Sequence, residues 1–142
     1  MKIIGTGVDL VEVPRFEQSA RQWGKRFLSR IFTAGELAYA SQHKAKAQHL
    51  AVRFAAKEAV VKAMGTGFAH GMWIRDVGVV QDRHGKPEIV WSARGERLRR
   101  KLGIGAGHVT LTDEAGLVVA VAILMAVRPA RAAGKPRKGG RR

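Results

Sequence analysis

The sequence predicts a single α+β domain in which a largely antiparallel sheet packs on one long buried helix. Three observations carry that expectation. The chain has 142 residues, 46% of them hydrophobic, which is the size of one domain with material for one core. The longest helical run, about Lys44 to Met64, carries Ala, Val, Leu, Phe and Met on most of its faces, the pattern of a buried helix. In the second half, four strand-like segments fall into two pairs joined by short turn sequences, which reads as two hairpins and therefore as antiparallel pairing.

Lys2 to Val13 is β-branched and apolar, so it reads as a strand. Gly5, Gly7 and Asp9 alternate onto one face of it, and glycines at that spacing imply close approach by another group. Pro14 fits the first position of a helix that runs through Arg15 to Trp23 and ends at Gly24. Phe27, Leu28, Ile31 and Phe32 form an apolar cluster in a short turn or helix. Thr33-Ala34-Gly35-Glu36 has the capping-box pattern and opens a short helix to about Ser41. The long helix follows, with Gly65 at its C-terminal cap position. Trp73 to Gln81 is expected as a strand, residues 82–87 as a turn, and Glu88 to Trp91 as the return strand. Ser92 caps a basic helix to about Leu102. Gly103 to Gly107 reads as a flexible link, His108 to Thr112 as a strand, Asp113 to Gly116 as a turn, and Leu117 to Val127 as the last strand. The expected order is β-α-α-α-β-β-α-β-β.

Charge narrows the function classes. Lys and Arg number 26 against 11 Asp and Glu, a net charge of +15, so partners rich in phosphate or carboxylate are favoured. Seven of the basic residues lie from Arg128 to Arg142, with no acidic and no large apolar residue among them, which leaves +8 on the rest. The domain is accordingly placed at 1–127, and 128–142 is read as a basic, disordered tail. Without cysteine, disulfides, thiolate metal sites and a Cys nucleophile are excluded. The longest apolar stretch, Gly116 to Val127, is too short for a membrane helix, and Asp9 and Glu12 interrupt what a signal peptide would need. A cytoplasmic location is expected. A small basic nucleic-acid-binding protein is the alternative, opposed by only 6% aromatic residues and no recognised binding signature; a non-catalytic trimeric scaffold is a third reading.

The run Arg53-Phe54-Ala55-Ala56-Lys57-Glu58-Ala59 with Lys62 carries the most chemistry. Leu50, Phe54 and Val61 share one face of the helix, Glu58 sits at the edge of that stripe, and Lys62 follows one turn later. An i,i+4 Glu–Lys pair on a solvated face accounts for that spacing on helix geometry alone. Asp9 changes the balance. It is a second carboxylate on an apolar strand that reads as central, and it too needs a cation. Two carboxylates with open positions suit Mg²⁺, which keeps waters and takes phosphate oxygens; two separate salt bridges are the alternative. Gly65-Thr66-Gly67, Gly85-Lys86-Pro87 and the alternating His108, Thr110 and Thr112 are each weak alone. A helix cap, a hairpin turn and a wet strand face explain them equally well. Signatures of a P-loop, a zincin or a nucleophile elbow do not occur.

Together these blocks resemble the holo-acyl-carrier-protein synthases. Ile4 to Glu12 is similar to that family's opening motif, Arg53 to Ala59 with Lys62 to Gly67 to its central signature, and Gly85 to Pro87 and His108 to Asp113 to its later blocks. Order and spacing agree from Lys2 to about Val127. The resemblance implies the 4′-phosphopantetheinyl transferase fold and transfer of 4′-phosphopantetheine from coenzyme A to a serine of apo-acyl carrier protein, a step of fatty acid biosynthesis. It implies Mg²⁺ on Asp9 and Glu58, and phosphate contact by Lys62. Arg53, Gly65, Thr66, Gly85, Lys86, Pro87, His108 and Thr110 would surround coenzyme A. Arg15 and Arg26 would dock the acidic carrier, and a homotrimer would carry active sites between subunits. Thr110 stands where the family usually has Ser, and Leu117-Val118-Val119 where an aromatic is common. The tail lies beyond the family core.

Overall fold

A computed structural model describes residues 2–67 and 71–128. The elements are β1 (Ile3–Glu12), α1 (Val13–Ile31), α2 (Ala34–Ser41), α3 (Lys46–Met64), a 3₁₀ turn (Ile74–Asp76), β2 (Val77–Gln81), β3 (Pro87–Trp91), α4 (Ala93–Lys101), β4 (Ile104–Glu114) and β5 (Leu117–Ala126). This is the expected order, and every strand pair is antiparallel. The strands divide into two sheets: β1-β5-β4 and the hairpin β2-β3. In the first sheet β5 is the central strand, so β1, expected to be central, lies at the edge. Apolar β5, with Val118, Ala120, Ala122 and Leu124 on one face and Leu117, Val119, Val121 and Ile123 on the other, is the strand that can be covered from both sides.

Helix α3 fills the middle of the molecule. Leu50, Ala51, Ala55, Ala56, Ala59, Val60, Val61 and Ala63 are all buried, so burial runs around the helix rather than along one stripe. Its small residues let β1 come close. A Cβ built on Gly5 would stand 1.8 Å from the carbonyl oxygen of Ala63, and one on Gly7 would stand 2.0 Å from that of Ala59. The spaced glycines of the sequence therefore exist to seat β1 on the backbone of α3. Val11 and Asp9 alternate onto that same helix-facing side, while Ile4, Val8 and Leu10 point away and are exposed.

Several boundaries differ from the sequence expectation. Gly24 takes φ 68°, ψ −162° and breaks the helix there, but the chain turns back into helix and continues to Ile31. Only glycine adopts that conformation readily, so it is a kink rather than a stop. Trp73 to Asp76 is not strand: the Asp76 carboxylate accepts the Trp73 backbone N–H at 2.9 Å and folds this segment into a 3₁₀ turn. Residues 104–107, read as a flexible link, begin β4 and pair with β5 across a register shift. The last turn shrinks to Ala115 and Gly116, both with positive φ, the two-residue geometry that suits a twisted hairpin. The proposed caps hold: Thr33 and Glu36 form a reciprocal capping box, and Ser92 Oγ accepts from Gly95 N at 3.0 Å. Residues 129–142, most of the expected tail, lie outside the described residues.

Candidate active site

The edge strand β1 and helix α3 bring Asp9, Glu58 and Lys62 to one place. Lys62 reaches across from α3 and donates to Asp9 Oδ1 at 2.9 Å and to the Val8 carbonyl at 3.2 Å. It does not form the i,i+4 pair with Glu58 that helix spacing alone allows. The Asp9 side chain is only 13% exposed, while that of Lys62 is 53% exposed, so the carboxylate is held by the fold and the lysine is free at one end. Glu58 is half-buried, and no ion pair joins it to another described residue. Its carboxyl is pushed above the ordinary glutamate range, first by burial and then by the negative charge of Asp9, with Lys62 pulling the other way.

That pattern fits a divalent metal. Two hard oxygen donors lie near enough for the charge of Asp9 to act on Glu58, and a lysine ammonium already sits on one of them. Among the described residues no group of three or more His, Cys, Asp or Glu side chains forms a metal cluster. The pair would hold an ion only with its remaining positions filled by water or substrate, which is how Mg²⁺ binds at phosphate-handling sites.

Beside this centre lies a groove of about 440 Å³ between β1, α1 and α3, floored by Phe16, Phe27 and Phe54. It begins at Leu10, one residue past Asp9, and Phe54 lies one helical turn before Glu58. Arg15 stands at its rim and is exposed; Arg26 is also exposed but does not line it. The kink at Gly24 brings Phe27 back toward the core, so this floor exists only because α1 resumes after its break.

The other expected residues are spread more widely. Arg53 is almost fully buried, its guanidinium 4.1 Å above the Tyr39 ring, and it donates to the His49 carbonyl at 3.3 Å. Gly65 is the left-handed cap of α3, and Thr66 Oγ1 donates to the Gly67 carbonyl at 3.4 Å. Gly85, Lys86 and Pro87 close the β2-β3 hairpin, where Asp82 Oδ1 accepts from the backbone N–H groups of His84 and Lys86. His108 and Thr110 are exposed on β4. Thr110 pairs across to Val121, which pairs with Val8, so both residues lie on the face of the sheet opposite Asp9. One copy of the chain does not bring them to the carboxylates.

The sequence reading gave Lys57 no role of its own and Glu36 only its place in the capping box, and missed that the two pair. Their side chains are fully buried and form an ion pair at 2.6 Å. A lysine in the centre of a helix that is apolar on all sides is the signal, because such an ammonium demands a buried partner.

With the geometry in place, the chain can be set beside known proteins. Residues 5–122 match the 4′-phosphopantetheinyl transferase superfamily. The chain belongs to that superfamily. A holo-[acyl-carrier-protein] synthase of Geobacter sp. (strain M21) is 47% identical over 122 residues, covering 86% of this chain and 98% of the relative. One from Sinorhizobium fredii is 42% identical over 136 residues, covering 93% and 98%. Among solved structures, the holo-[acyl-carrier-protein] synthase of Neisseria meningitidis superposes with a TM-score of 0.81 at 34% identity over 86% of this chain and 98% of that one. The synthase of Bacillus anthracis, solved in complex with CoA (3′,5′-ADP), gives 0.73 at 30% identity over 89% and 99%. The α+β superfamily fold and the phosphopantetheinyl transferase character expected from the motifs are thus borne out.

Proposed function

We propose that the chain is a Mg²⁺-dependent holo-acyl-carrier-protein synthase, working in the cytoplasm as a homotrimer. The observation that carries this reading is the juxtaposition of Asp9, Glu58 and Lys62 beside a groove rimmed by Arg15, in a chain whose relatives of nearly full matched length are holo-acyl-carrier-protein synthases. In the reaction the carrier serine oxygen attacks the phosphorus that bears pantetheine. The bond from that phosphorus to adenosine 3′,5′-bisphosphate breaks. The serine proton is lost to a base, and the bisphosphate leaves as an anion.

Asp9 and Glu58 would hold Mg²⁺, which when bound supplies Lewis-acid neutralisation of the pyrophosphate. Lys62, half exposed and bonded among the described residues to Asp9 and the Val8 carbonyl, would turn its ammonium to the developing negative charge on the leaving phosphate. A metal-ordered water or Glu58 itself would take the serine proton. The apolar floor of the groove would receive the carrier beside its serine, with Arg15 and the exposed Arg26 attracting acidic side chains.

The trimer reading rests on the outer face of the three-stranded sheet. Ile4, Val8 and Leu10 of β1 and Val121 of β5 are exposed there, beside His108 and Thr110 of β4. An apolar sheet face of this kind calls for a cover. A second copy laid on it would deliver its own or its neighbour's His108 and Thr110 to a coenzyme A site between subunits, completed by Arg53, Gly65, Thr66 and the Gly85-Lys86-Pro87 turn. Residues 128–142 are proposed to lie outside this catalytic unit.

The test is direct. Apo-acyl carrier protein is incubated with coenzyme A and this protein, and the carrier is weighed by mass spectrometry. Addition of one phosphopantetheine with Mg²⁺, none with chelator, and none with Asp9→Ala or Glu58→Ala is the expected result. Transfer by either variant at limiting Mg²⁺ would remove the two-carboxylate centre.

A further inference from the structure

The Lys57–Glu36 pair is more than a buried contact, because of what it joins. Lys57 Nζ donates at 2.6 Å to the Ile31 carbonyl, at the end of α1, and at 2.6 Å to Glu36 Oε1 on α2. Glu36 Oε1 also accepts the Thr33 N–H at 2.9 Å, and Oε2 accepts the Val79 N–H of β2 at 3.2 Å. The ammonium lies 5.2 Å from the centre of the Phe32 ring. One lysine therefore ties α3 to α1, α2 and β2. Among the described residues no buried side-chain nitrogen or oxygen lacks a partner.

The position of this knot along α3 matters. Lys57 directly precedes Glu58, about 100° away around the helix. On its β1 side α3 bears on Gly5 and Gly7 through the carbonyls of Ala63 and Ala59. Helix α3 also packs against β5, β4, α1, α2 and β2, and Glu58 and Lys62 occupy the arc facing Asp9. The glycine seat sets how near α3 lies to β1. It is a van der Waals contact between backbone surfaces and carries no directed bond. The Lys57 knot, with directed hydrogen bonds to three other elements, fixes the rotation. A carboxylate about 6 Å from the helix axis moves about 1 Å for a 10° turn, and a misplacement of that size can cost about 10²-fold in rate.

We infer that Lys57 is a positioning residue for Glu58: through Glu36, Ile31 and Val79 it sets the rotation of α3 that brings the Glu58 carboxylate to Asp9. This rests on the reading of Asp9 and Glu58 as the metal-holding pair. It gives the buried pair a task that an apolar pair of similar volume could not perform, although such a pair can match it in stability.

The experiment replaces the knot without leaving a hole or a lone charge, by Glu36→Leu with Lys57→Met. Mn²⁺ binding to the full chain is titrated by electron paramagnetic resonance, with thermal unfolding and transferase kinetics alongside. The expected result is a folded variant with Mn²⁺ affinity reduced about tenfold or more, kcat reduced about 10- to 100-fold, and KM for coenzyme A changed less than about threefold. A folded double variant with native Mn²⁺ affinity and kcat overturns the inference and leaves Lys57 purely structural. Should the double variant fail to fold, the isosteric Glu36→Gln carries the test. It keeps the shape of the side chain but puts an amide NH₂ in place of one carboxylate oxygen, so that either the Lys57 ammonium or the Val79 N–H loses its acceptor, and native Mn²⁺ affinity in it is equally fatal. Absence of Glu58-dependent Mn²⁺ binding in the unaltered protein would instead refute the metal site itself, so the two failures are told apart.

Discussion

Gly7→Ala isolates the seat of β1 on α3. Gly7 does not have positive φ, so alanine can adopt its backbone conformation and the effect is one of space alone. The new Cβ would stand 2.0 Å from the Ala59 carbonyl oxygen and 2.7 Å from the Ala63 nitrogen, both backbone atoms of a helix that cannot swing aside as a side chain would. Ordinary contact requires about 3.4 Å, so strand and helix must part by about 1.4 Å. Overpacking of this kind costs about 1–3 kcal/mol. Alanine recovers at most about 1 kcal/mol by restricting the unfolded chain. A backbone clash falls at the upper end of the range, giving a net loss of about 2 kcal/mol and a fall in Tm of about 8 °C for a chain of this size. Function should fall further than stability, because the same separation carries Asp9 away from Glu58. At a temperature where the variant is fully folded, transferase activity should drop about 10²-fold or more. Calorimetry and the carrier mass assay measure the two effects. Native Tm together with native activity would refute the argument that the glycines place the carboxylates.

Glu58→Gln should raise the Tm of the metal-free protein at neutral pH. Burial and Asp9 raise the Glu58 pKa above 4.5, so above that pH the native state holds more proton than the unfolded chain, and stability falls as pH climbs through the raised value. The variant should lose that slope in thermal melts from pH 4 to 8, and should also lose any stabilisation by added Mg²⁺; a lower Tm at pH 7 contradicts the account. Lys62→Ala should lower kcat more than it raises KM for coenzyme A, since a cation meeting developing charge acts mainly in the transition state; a change in KM alone would confine it to ground-state binding. Val121→Glu, on the outer sheet face, should shift sedimentation from trimer to monomer and abolish transfer while leaving Asp9, Glu58 and Lys62 in place; an active monomer would remove the shared site. Truncation after Arg128 should leave turnover nearly intact at moderate salt and slow carrier encounter only at low salt; a folded but inactive truncation at every salt concentration would place the tail in the site.

Much of the architecture was legible because local signals agreed with the tertiary result. The capping box at Thr33, the Ser92 cap, the hairpin turn after Gln81 and the left-handed Gly65 are short-range devices, and each stands where the residues put it. What failed depended on distant partners. Trp73 to Asp76 has strand-like composition, yet the Asp76 carboxylate, held by Ser92 and Arg94 from beyond the hairpin, draws the Trp73 N–H into a turn. Gly24 has the form of a helix stop, but the apolar residues after it have a core to reach, and helix resumes to reach it. The edge position of β1 followed from β5 inserting between it and β4, which no property of β1 itself discloses.

The candidate site divides along the same line. Asp9 and Glu58 were recognisable as charges needing a partner, and the spaced glycines announced a close approach, yet only the fold shows that these two facts are one. The glycines bring α3 against β1, and that contact sets how near α3, with Glu58 on it, lies to Asp9. The same logic reaches His108 and Thr110. Their strand pairs in register with β5, whose alternation sends them to the face away from Asp9, and no rearrangement short of breaking the sheet can bring them round. If they contact the substrate held by Asp9, Glu58 and Lys62, the substrate must lie between copies of the chain. Assembly is then a condition of catalysis rather than an addition to it.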